Sequence, residues 1–491
     1  MIAPGAQGAD LLRFLRDSAV PGNAIALEDG LRSLSYGELW DAVERCAAEF
    51  GPAAGAPERP LALVASNSIG YCVALLGGLA AGRTVAEISP QETPERLAAL
   101  VSRLAPAALV TDLDDTSFAS GARVVSPSVL PPAANRAAAA RPADPALIVF
   151  TSGTTGEPKG VMLSHANIVA VVEAILDYLP LAGGDRHGLV LPLCHTYGKS
   201  VLFTALRTGG TVVLGADFAD LPSFTGWLVE RRVSVLGLVP FHVNVLLQRA
   251  PLERLDLSRL RLVTISGGAI RPEALAELDR RVPSAAVHFM YGLTESSTRA
   301  CALPPEMLAR KPGSCGRPIR GVRLRIAAED GRPLGAREPG EVLLAGPNIM
   351  QGYWGDPGLT ARTLGDGWLH TGDLGSIDAD GYLYLVGRKN DIIKCAGERI
   401  SAREIEVVLL SHPGVADVTV AGVPHPILGE SVQAWVVRRD PAVSEDELRA
   451  LCARRLTHHK IPRSWVFLPE LPRTATGKVQ RARLPVEQEQ A

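Results

Sequence analysis

One ten-residue loop constrains this chain more than any other feature. It reads Thr151-Ser-Gly-Thr-Thr-Gly-Glu-Pro-Lys159-Gly160 and directly follows the apolar segment Ala146–Phe150, which is predicted to be a buried strand. Glycines let a backbone approach an anion closely, while N–H groups, hydroxyls and a lysine supply donors and positive charge. The loop therefore predicts a phosphate-binding site.

The spacing within this loop excludes two common nucleotide-binding classes. The chain lacks the Gly-x4-Gly-Lys-Ser/Thr pattern of P-loop enzymes, and the loop is not the Gly-x-Gly-x-x-Gly of dinucleotide enzymes. A loop of Gly, Ser and Thr can also be a plain linker, but a linker does not need the Pro-Lys-Gly ending.

Lysine is scarce, which makes its positions informative. The chain has 50 lysines and arginines together, of which seven are lysines. A compact ammonium cannot be replaced by a planar guanidinium at a site that needs it. Four of the seven lie in the motifs described here, namely Lys159, Lys389, Lys394 and Lys478.

Length and composition narrow the class of protein. A chain of 491 residues is expected to form two or three domains or subdomains, and 47% hydrophobic with 21% charged residues is typical of globular chains. A net charge of −2 argues against nucleic acid as a partner. The seven scattered cysteines indicate reduced thiols. The N-terminus lacks an apolar signal-peptide core, and the run Ile69–Leu79 is about half the length of a membrane span, so we expect a cytoplasmic protein with no membrane span.

Short apolar runs alternate with helical segments through the first three hundred residues, which predicts an α/β fold. Helices are predicted at Tyr36–Phe50, opened by Ser35, and at Ile69–Ala81. Strands are predicted at Leu61–Ala65, Ala107–Thr111, Ala146–Thr151, Gly188–Pro192, Thr211–Gly215, Val233–Val239, Leu260–Ser266 and Val287–Tyr291. We therefore expect a large N-terminal domain of stacked βα subdomains with buried parallel sheets.

The pattern of predicted secondary structure changes toward the C-terminus. From about residue 313 to 387, Gly and Pro punctuate strand pairs such as Val322–Ile326 with Gly340–Leu344. The tail is predicted to form a small α+β domain of about 100 residues. Its predicted elements are helices Ala402–Ser411 and Glu445–Leu456 with strands Val415–Gly422, Ser431–Arg438 and Trp465–Phe467. The domain bounds are predicted at 1–387 and 391–491.

Six further motifs occur along the chain, one before the loop and five after it. They are Leu34-Ser-Tyr-Gly-Glu-Leu39, Tyr291-Gly-Leu-Thr-Glu-Ser296, Gly340-Glu-Val with Gly352-Tyr-Trp354, Thr371-Gly-Asp373, Gly387-Arg-Lys-Asn-Asp-Ile-Ile-Lys394 and Pro472-Arg-Thr-Ala-Thr-Gly-Lys478. Together with the loop, this series resembles the adenylate-forming superfamily of acyl-CoA and aryl-CoA synthetases, peptide-synthetase adenylation domains and luciferases. The resemblance covers residues 34–478.

The resemblance implies a two-step reaction. A carboxylate attacks the α-phosphate of ATP to give an acyl adenylate and pyrophosphate, and a thiol then displaces AMP to give a thioester. Two anions approach only if lysine and a metal ion neutralise the developing charge. By resemblance, Lys478 bridges carboxylate and α-phosphate, Glu295 holds Mg²⁺, and Thr154 and His195 complete the catalytic set.

The resemblance also implies an ATP site. Asp373 is expected to accept both ribose hydroxyls, Arg388 to assist at the ribose or phosphate, and Tyr291 to sandwich the adenine with the Ser266-Gly267-Gly268 segment. The full expected set is Thr151, Ser152, Gly153, Thr155, Gly156, Lys159, Gly267, Gly268, Tyr291, Gly292, Thr294, Asp373 and Arg388.

In this family the small domain rotates between the half-reactions. The hinge, near 388–390, corresponds to Asn390, and asparagine tolerates unusual backbone angles. After rotation, the loop around Gly397 is expected to replace Lys478, with room for a pantetheine arm beside the glycine.

The binding site for the carboxylic acid is expected near Pro192-Leu-Cys-His195-Thr-Tyr-Gly198. His195 would gate the path between the carboxylate and the thiol. Amino-acid-activating members carry Asp where this chain has Thr196, and a buried ammonium without a partner is costly, so the acid is expected to lack an α-amino group. Tyr197, Phe241, Gly267 and Gly268 are expected to line a pocket for an aryl or short-to-medium acyl chain, although Phe241 could equally be a core residue.

The sequence departs from the family pattern at His370, Cys194 and His459, none of which removes an essential charge. The first interpretation is an AMP-forming acid–CoA ligase. A stand-alone ligase that loads the phosphopantetheine of an acyl carrier protein uses the same chemistry and stays open. A luciferase-like oxygenase is possible on the same fold, whereas a dead adenylate-binding protein would be expected to lose Lys478 or Glu295.

Overall fold

The computed structural model describes residues 10–18, 20–51, 59–119, 121–127, 144–151, 158–395, 398–425, 428–473 and 479–485. Within these ranges the α-helices are α1 Leu11–Arg16, α2 Tyr36–Phe50, α3 Ile69–Ala80, α4 Pro94–Leu104, α5 His165–Tyr178, α6 Thr196–Thr208, α7 Leu221–Glu230, α8 Pro240–Arg249, α9 Pro272–Arg281, α10 Pro357–Thr363, α11 Ala402–Leu410 and α12 Glu445–Arg455.

The strands of the same ranges fall into an N-terminal and a C-terminal series. The first is β1 Ile25–Glu28, β2 Ser33–Ser35, β3 Leu61–Val64, β4 Val85–Glu87, β5 Ala108–Thr111, β6 Arg123–Val125, β7 Leu147–Thr151, β8 Lys159–Leu163, β9 Arg186–Gly188, β10 Thr211–Val213, β11 Val235–Leu238, β12 Leu262–Ile265 and β13 Ala286–Tyr291. The second is β14 Cys301–Leu303, β15 Arg317–Pro318, β16 Arg323–Ala327, β17 Gly340–Ala345, β18 Gly352–Tyr353, β19 Leu364–Gly365, β20 Trp368–Ile377, β21 Leu383–Arg388, β22 Ile392–Cys395, β23 Glu398–Ser401, β24 Val415–His425, β25 Gly429–Arg438 and β26 Ser464–Leu468.

Local signals explain where α2 begins and how it packs. The Ser35 hydroxyl accepts from the backbone of Glu38, and the Glu38 carboxylate accepts from the Ser35 backbone, which forms a capping box. Helix α3 is apolar on nearly all faces and buried. A Cβ at Gly77 in α3 would lie 2.6 Å from the Cβ of Cys46 in α2, so glycine is what lets these helices pack closely.

Two large sheets are mainly parallel. One has the order β15-β14-β13-β12-β11-β9-β10-β1-β2, and the other β18-β8-β7-β4-β3-β5-β6. Antiparallel pairs occur toward their ends, such as β13 with β14 and β7 with β8. The predicted buried parallel sheets are confirmed, and β7 and β8 form a hairpin around the phosphate-loop segment.

The two remaining sheets belong to the β-rich and C-terminal parts. One has the order β16-β17-β20-β19 with β21 beside β20, and the other has the order β23-β22-β25-β24 with β26 parallel to β25. The predicted pairing of Val322–Ile326 with Gly340–Leu344 is confirmed by adjacent β16 and β17. The last sheet covers an apolar core that includes Ile400, Ile405 and Val436.

Packing divides the chain into two compact units. The first comprises Met1–Pro312, Gly316–Arg323 and Leu344–Leu369, and the second comprises Gly313–Cys315, Leu324–Leu343 and His370–Ala491. The domain bounds predicted from the sequence, 1–387 and 391–491, describe two bodies that move about a hinge. Packing within one structure does not test such a motion, so these bounds stay a prediction. The connection Ser126–Asp144 lies largely outside the described residues.

One predicted strand is misplaced. The sequence predicts a strand at Gly188–Pro192, whereas β9 ends at Gly188. The buried β9 contains Arg186 and His187, whose polarity hides it from an apolar pattern. All seven cysteines are buried, and none of them forms a disulfide.

Candidate active site

Four parallel strands of the first unit, β9, β11, β12 and β13, end at one edge of the nine-stranded sheet. In open α/β sheets ligands bind outside the carboxyl ends of the strands. The segments that leave this edge carry the predicted His195–Tyr197, Phe241, Gly267–Gly268 and Tyr291–Glu295. The fold therefore collects these sequence-predicted residues at one edge.

The segment after β13 is held in a tight turn. Ser297 and Thr298 have positive φ of 52° and 89°, and a Cβ at Gly292 would lie 2.0 Å from the Thr298 carbonyl oxygen. Asn348 Nδ2 donates to the carbonyls of Ser296 and Arg299 at 3.0 and 2.7 Å. The backbone at Thr298 therefore approaches position 292 so closely that only glycine fits there.

Glu295, the predicted Mg²⁺ ligand, lies in a short 3₁₀ turn, Thr294–Ser296, and is half-buried. Its Oε1 accepts from the Tyr353 hydroxyl at 2.7 Å. Burial, and then the Glu295 charge, raise the pKa of Tyr353, so this phenol stays a neutral donor. The Tyr353 contact therefore fixes the orientation of a carboxylate at this edge.

Tyr353 also links Glu295 to the phosphate-loop segment. Strand β18 pairs with β8, and Tyr353 lies opposite Val161. This pairing brings the Lys159 ammonium to 5.7 Å from the centroid of the Tyr353 ring, within cation–π range. Thr151 and Lys159 face each other at the two ends of the loop. The loop residues between them, Ser152, Gly153, Thr154, Thr155 and Gly156, lie outside the described residues.

The side chains near Glu295 suit a magnesium ion better than a metal ion whose ligands all come from the protein. Among the residues that the structure describes, no group of three His, Cys, Asp or Glu side chains could hold an ion. Magnesium typically binds one or two carboxylates together with waters and substrate phosphates. A single oriented, half-exposed carboxylate at Glu295 fits that requirement.

Strand β12 leads into the Gly267–Gly268 segment. Ser266 is buried, whereas both glycines are exposed, and Gly267 has φ of +91°. Their Cβ positions would meet Val239 and Pro240 at about 3.4 to 3.5 Å. Tyr291, the predicted adenine partner, is 8% exposed at the end of β13.

Two side chains hold the loop that carries His195. Asn67 donates to the Leu191 carbonyl and accepts from the Leu193 N–H, both at 2.8 Å. Lys199 Nζ donates to the Leu193 carbonyl at 3.2 Å. A Cβ at Gly198 would lie 2.4 Å from the Pro192 carbonyl oxygen, so glycine lets α6 begin directly against this loop.

A buried ion pair lies below this loop. Lys199 Nζ is 2.6 Å from Glu87 Oε2, with side chains 3% and 0% exposed, and the Tyr71 hydroxyl donates to Glu87 Oε1 at 2.6 Å. Burial lowers the pKa of His195 to about 4, and the Lys199 charge acts in the same direction. His195 is therefore a neutral imidazole at physiological pH.

The residues after His195 begin α6. Thr196 is buried, and His195 forms no side-chain cap at this helix end. The Tyr197 hydroxyl donates to the Thr264 carbonyl at 2.8 Å, which ties α6 to β12. Phe241 is 36% exposed at the start of α8, so it is not a core residue.

The predicted ribose residues lie in the second unit. Asp373 in β20 and Arg388 in β21 are cross-strand partners, and Arg388 Nε donates to Asp373 Oδ1 at 2.7 Å. Glu341 accepts from Lys389 Nζ at 2.6 Å and from the Gly372 N–H at 3.1 Å, and its Oε2 is 3.3 Å from His370 Nδ1. Glu341 thus organises the turn before Asp373, and the departure at His370 keeps a polar contact.

Several predicted residues fall outside what the structure describes. Lys478 and Gly397 lie in segments that are not described, and of Asn390 only the backbone, in a 3₁₀ turn at Lys389–Asp391, is described. Their predicted roles stay predictions.

Sequence reasoning missed four residues that organise this edge and the ribose turn: Tyr353, Lys199, Arg299 and Glu341. Lys199 carried a signal as a rare lysine, and Glu341 and Tyr353 carried one as motif residues. Their partners are distant in sequence, as with Glu87 for Lys199, and no local pattern finds them.

A cavity of about 450 Å³ lies elsewhere in the first unit. It is lined by Tyr178, His288, Glu306 and neighbouring residues of α5 and the segment after β14. None of the sequence-predicted site residues lines it.

Comparisons with known proteins match most of the chain. Residues 14–354 match the family described as AMP-binding enzyme, and residues 404–478 match the AMP-binding enzyme C-terminal domain. The sulfoacetate–CoA ligase of Cupriavidus necator is 38% identical over 70% of this chain and 67% of its own length. A feruloyl-CoA synthase of Streptomyces is 38% identical over 68% of each chain.

A solved structure shares the fold along almost the whole chain. The o-succinylbenzoate CoA synthetase of Bacillus subtilis, in complex with its acyl-adenylate intermediate, has a TM-score of 0.85 and 27% identity, covering 98% of both chains. The same synthetase in complex with ATP and magnesium gives a TM-score of 0.83, with 27% identity and coverage of 97% of this chain and 99% of that one. This chain therefore belongs to the AMP-binding enzyme family, as an AMP-forming ligase of the acyl-CoA synthetase kind.

Proposed function

We propose that this enzyme uses ATP and Mg²⁺ to convert a carboxylic acid without an α-amino group into an acyl adenylate, and then passes the acyl group to the thiol of CoA. The observation that carries the proposal is the cluster of Glu295, Tyr353 and Lys159 beside the phosphate loop. It joins a cation and an oriented carboxylate at the sheet edge where a nucleotide would bind.

The first half-reaction joins two anions. Lys159 and the loop residues Thr151 to Gly156 would hold the phosphates, with Thr154 closest to the transfer. Lys478 would bridge the acid and the α-phosphate. Glu295 would hold Mg²⁺, which supplies charge neutralisation at the phosphates.

The nucleoside has its own proposed residues. Asp373 would accept from the ribose hydroxyls, and its ion pair with Arg388 supports this because it fixes the orientation of the carboxylate. Tyr291, with Gly292 and Thr294, would face the adenine opposite Gly267–Gly268. The exposure of both glycines supports this because it leaves their backbone accessible to a flat ring.

Two features support an acid without an α-amino group. Thr196 is neutral and buried, so it offers an ammonium no partner. It is also the first residue of the 13-residue helix α6, whose positive dipole end disfavours a cation and favours a carboxylate. Tyr197 and Phe241 would line the acyl pocket.

The second half-reaction brings in the thiol. His195, held neutral by burial, would gate the thiol path without adding charge. The C-terminal domain would turn about Asn390 and present the loop at Gly397, where the missing side chain leaves room for pantetheine. A carrier-protein phosphopantetheine would use the same path, and we place the reaction in the cytoplasm.

Pyrophosphate exchange tests the first half-reaction directly. A panel of acids should drive exchange of pyrophosphate into ATP without any thiol, and α-amino acids should be at least tenfold poorer than their deamino analogues. Preference for a free amino acid, or no exchange with any acid, would overturn the proposal. Adding CoA and then carrier proteins identifies the acceptor.

Two variants separate the half-reactions. Lys478→Ala should lower exchange by 10²–10³-fold, the usual loss for a charge-stabilising donor, yet still convert supplied acyl adenylate and CoA to thioester. Gly397→Leu should keep exchange and lose thioester formation. Equal loss of both half-reactions in both variants would count against a rotating domain.

A further inference from the structure

Arg299 is a buried cation in the turn after β13. It is 2% exposed, and no carboxylate of the described residues forms an ion pair with it. Its Nη1 donates to the Thr298 carbonyl and hydroxyl at 3.1 and 3.0 Å, while Nε has no hydrogen-bond partner. A guanidinium stays charged in proteins, so this charge is not removed by deprotonation.

The aromatic neighbours of Arg299 do not neutralise it. The guanidinium carbon lies 4.2 Å from the centroid of the Tyr197 ring, and the Arg299 charge also acts on the Tyr178 phenol. Burial raises the pKa of both phenols, to about 12 for Tyr197, so neither carries negative charge. A cation–π contact recovers only part of the cost of burying a charge.

The backbone holds this cation in place. The Arg299 carbonyl accepts from Asn348, and the preceding turn packs under Gly292 at the end of the Tyr291 motif. Arg299 is therefore anchored between that motif and Tyr197, the side chain proposed to line the acid pocket.

We propose that Arg299 binds a second, distal anionic group of the substrate, so that the acid activated by this enzyme is a dicarboxylate or a sulfocarboxylate. The substrate carboxylate that reacts would lie toward the nucleotide, and its other acidic end would accept from the guanidinium. A planar guanidinium can bind a carboxylate or sulfonate with two parallel hydrogen bonds. This inference rests on the proposed function, whose acid it specifies.

The anion is assigned to the Tyr197 side of Arg299 because of the charges on the other side. Tyr178 also lines the 450 Å³ cavity, but the Glu306 carboxylate lines that cavity too. A carboxylate there would repel an entering anion, whereas Tyr197 on the other side is a side chain proposed to line the acid pocket.

Matched acid pairs test the inference in the wild-type enzyme. Glutarate is compared with monomethyl glutarate, succinate with monomethyl succinate, 3-sulfopropanoate with butanoate, and 4-carboxyphenylacetate with its 4-methyl ester. Pyrophosphate exchange and CoA thioester formation give kcat/KM for each acid. At least one dianionic acid should exceed its neutral-ended partner by tenfold or more.

Variants assign the preference to one residue. Arg299→Met should remove the preference mainly through KM of the dianionic acid, and Arg299→Lys should restore part of it. Arg83→Met, at another buried arginine that donates to the backbone carbonyls of Phe50 and Arg59, should keep the preference. Calorimetric binding of the same acids gives a readout that does not require turnover.

The outcomes separate this inference from the proposed function. Exchange with neutral-ended acids at equal or higher kcat/KM would leave the proposed function standing and overturn the role of Arg299. Absence of exchange with every acid would overturn the proposed function. Calorimetric binding would still test whether Arg299 binds the second anionic group. Equal binding of each acid pair, or an unchanged preference in Arg299→Met, would refute the second-anion site.

Discussion

The ion pair of Lys199 and Glu87 shows how one buried charge depends on another. Both side chains are almost fully buried, and Tyr71 donates to the same carboxylate. Removing one partner of a buried pair costs about 3–5 kcal/mol because the remaining charge is uncompensated, whereas replacing both can be nearly neutral. The pair lies directly below the loop that carries His195, so its loss should reach the site.

We expect an asymmetric response to substitution of this pair. Glu87→Gln leaves the Lys199 ammonium buried without a counter-ion and should lower the free energy of unfolding by about 3–5 kcal/mol. Lys199→Met should cost less, because burial already raises the pKa of Glu87 and a protonated carboxyl can stay bonded to Tyr71. Denaturant unfolding measures each effect.

The double variant Glu87→Gln with Lys199→Met completes this test. Its loss of unfolding free energy should be smaller than the sum of the two single losses, since contacting residues are not additive. Additive losses, or a larger loss for Lys199→Met than for Glu87→Gln, would contradict this account of the pair.

At the scale of elements, the turn after β13 couples stability to nucleotide binding. Gly292→Ala would place a Cβ 2.0 Å from the Thr298 carbonyl oxygen, which is backbone and cannot rotate away. We expect a loss of at least about 2 kcal/mol in unfolding free energy, together with weaker ATP binding, because the turn also carries Glu295. Chemical denaturation and ATP calorimetry measure the two effects.

Gly184→Ala is the matched control for this turn. Gly184 lies in an exposed loop, and nothing within 4 Å would meet its Cβ. Its substitution should leave ATP binding unchanged and affect stability by less than about 1 kcal/mol. A similar response of the two glycine variants would show that close approach at Gly292 is not the cause.

Elements with local signals could be predicted from the sequence, and those fixed by distant partners could not. Helix α2 begins at the predicted residue because its capping box involves Ser35 and Glu38, three residues apart. Strand β9 was misplaced because its polar residue Arg186 pairs with Glu28, which is 158 residues away in the sequence. Such contacts exist only after folding.

The same division holds for the candidate site. Motif residues such as Glu295 and Asp373 could be proposed from the sequence because each lies in a short contiguous motif that resembles the family. The Tyr353 hydroxyl that orients Glu295 comes from 58 residues further along the chain, and it reaches Glu295 only because β18 pairs with β8. Arg299 could not be predicted as an unpaired cation, since its burial depends on α6 and on Asn348.

At the scale of the whole molecule, four histidines of the first unit share one electrostatic property. His187, His195, His242 and His288 each have a pKa lowered to about 4, with burial as the largest cause. At pH 7 all four are neutral in the folded chain and mostly neutral in the unfolded chain, so they affect stability little there. Below pH 6.5 these histidines bind protons in the unfolded chain but not in the folded chain.

The expected consequence is an acid-sensitive fold. Between about pH 6.5 and 4, each of these histidines favours the unfolded state by up to about 1.4 kcal/mol per pH unit, since one proton more is bound there. Below about pH 4 the folded form is protonated too, and the loss stops growing. The free energy of unfolding, measured by denaturant titration from pH 7.5 to 5, should therefore fall steeply.

Substitution of one histidine tests this cause. His288 lies in the buried strand β13, and its Nδ1 has no hydrogen-bond partner, so replacement by leucine removes no hydrogen bond at that atom. His288→Leu should make the fall in unfolding free energy shallower by about 1.4 kcal/mol per pH unit near pH 5, whereas His458→Gln, at an exposed position, serves as the control. If His288→Leu leaves the slope unchanged, or if unfolding takes up no more protons at pH 5 than at pH 7.5, the buried histidines are not what limits this fold in acid.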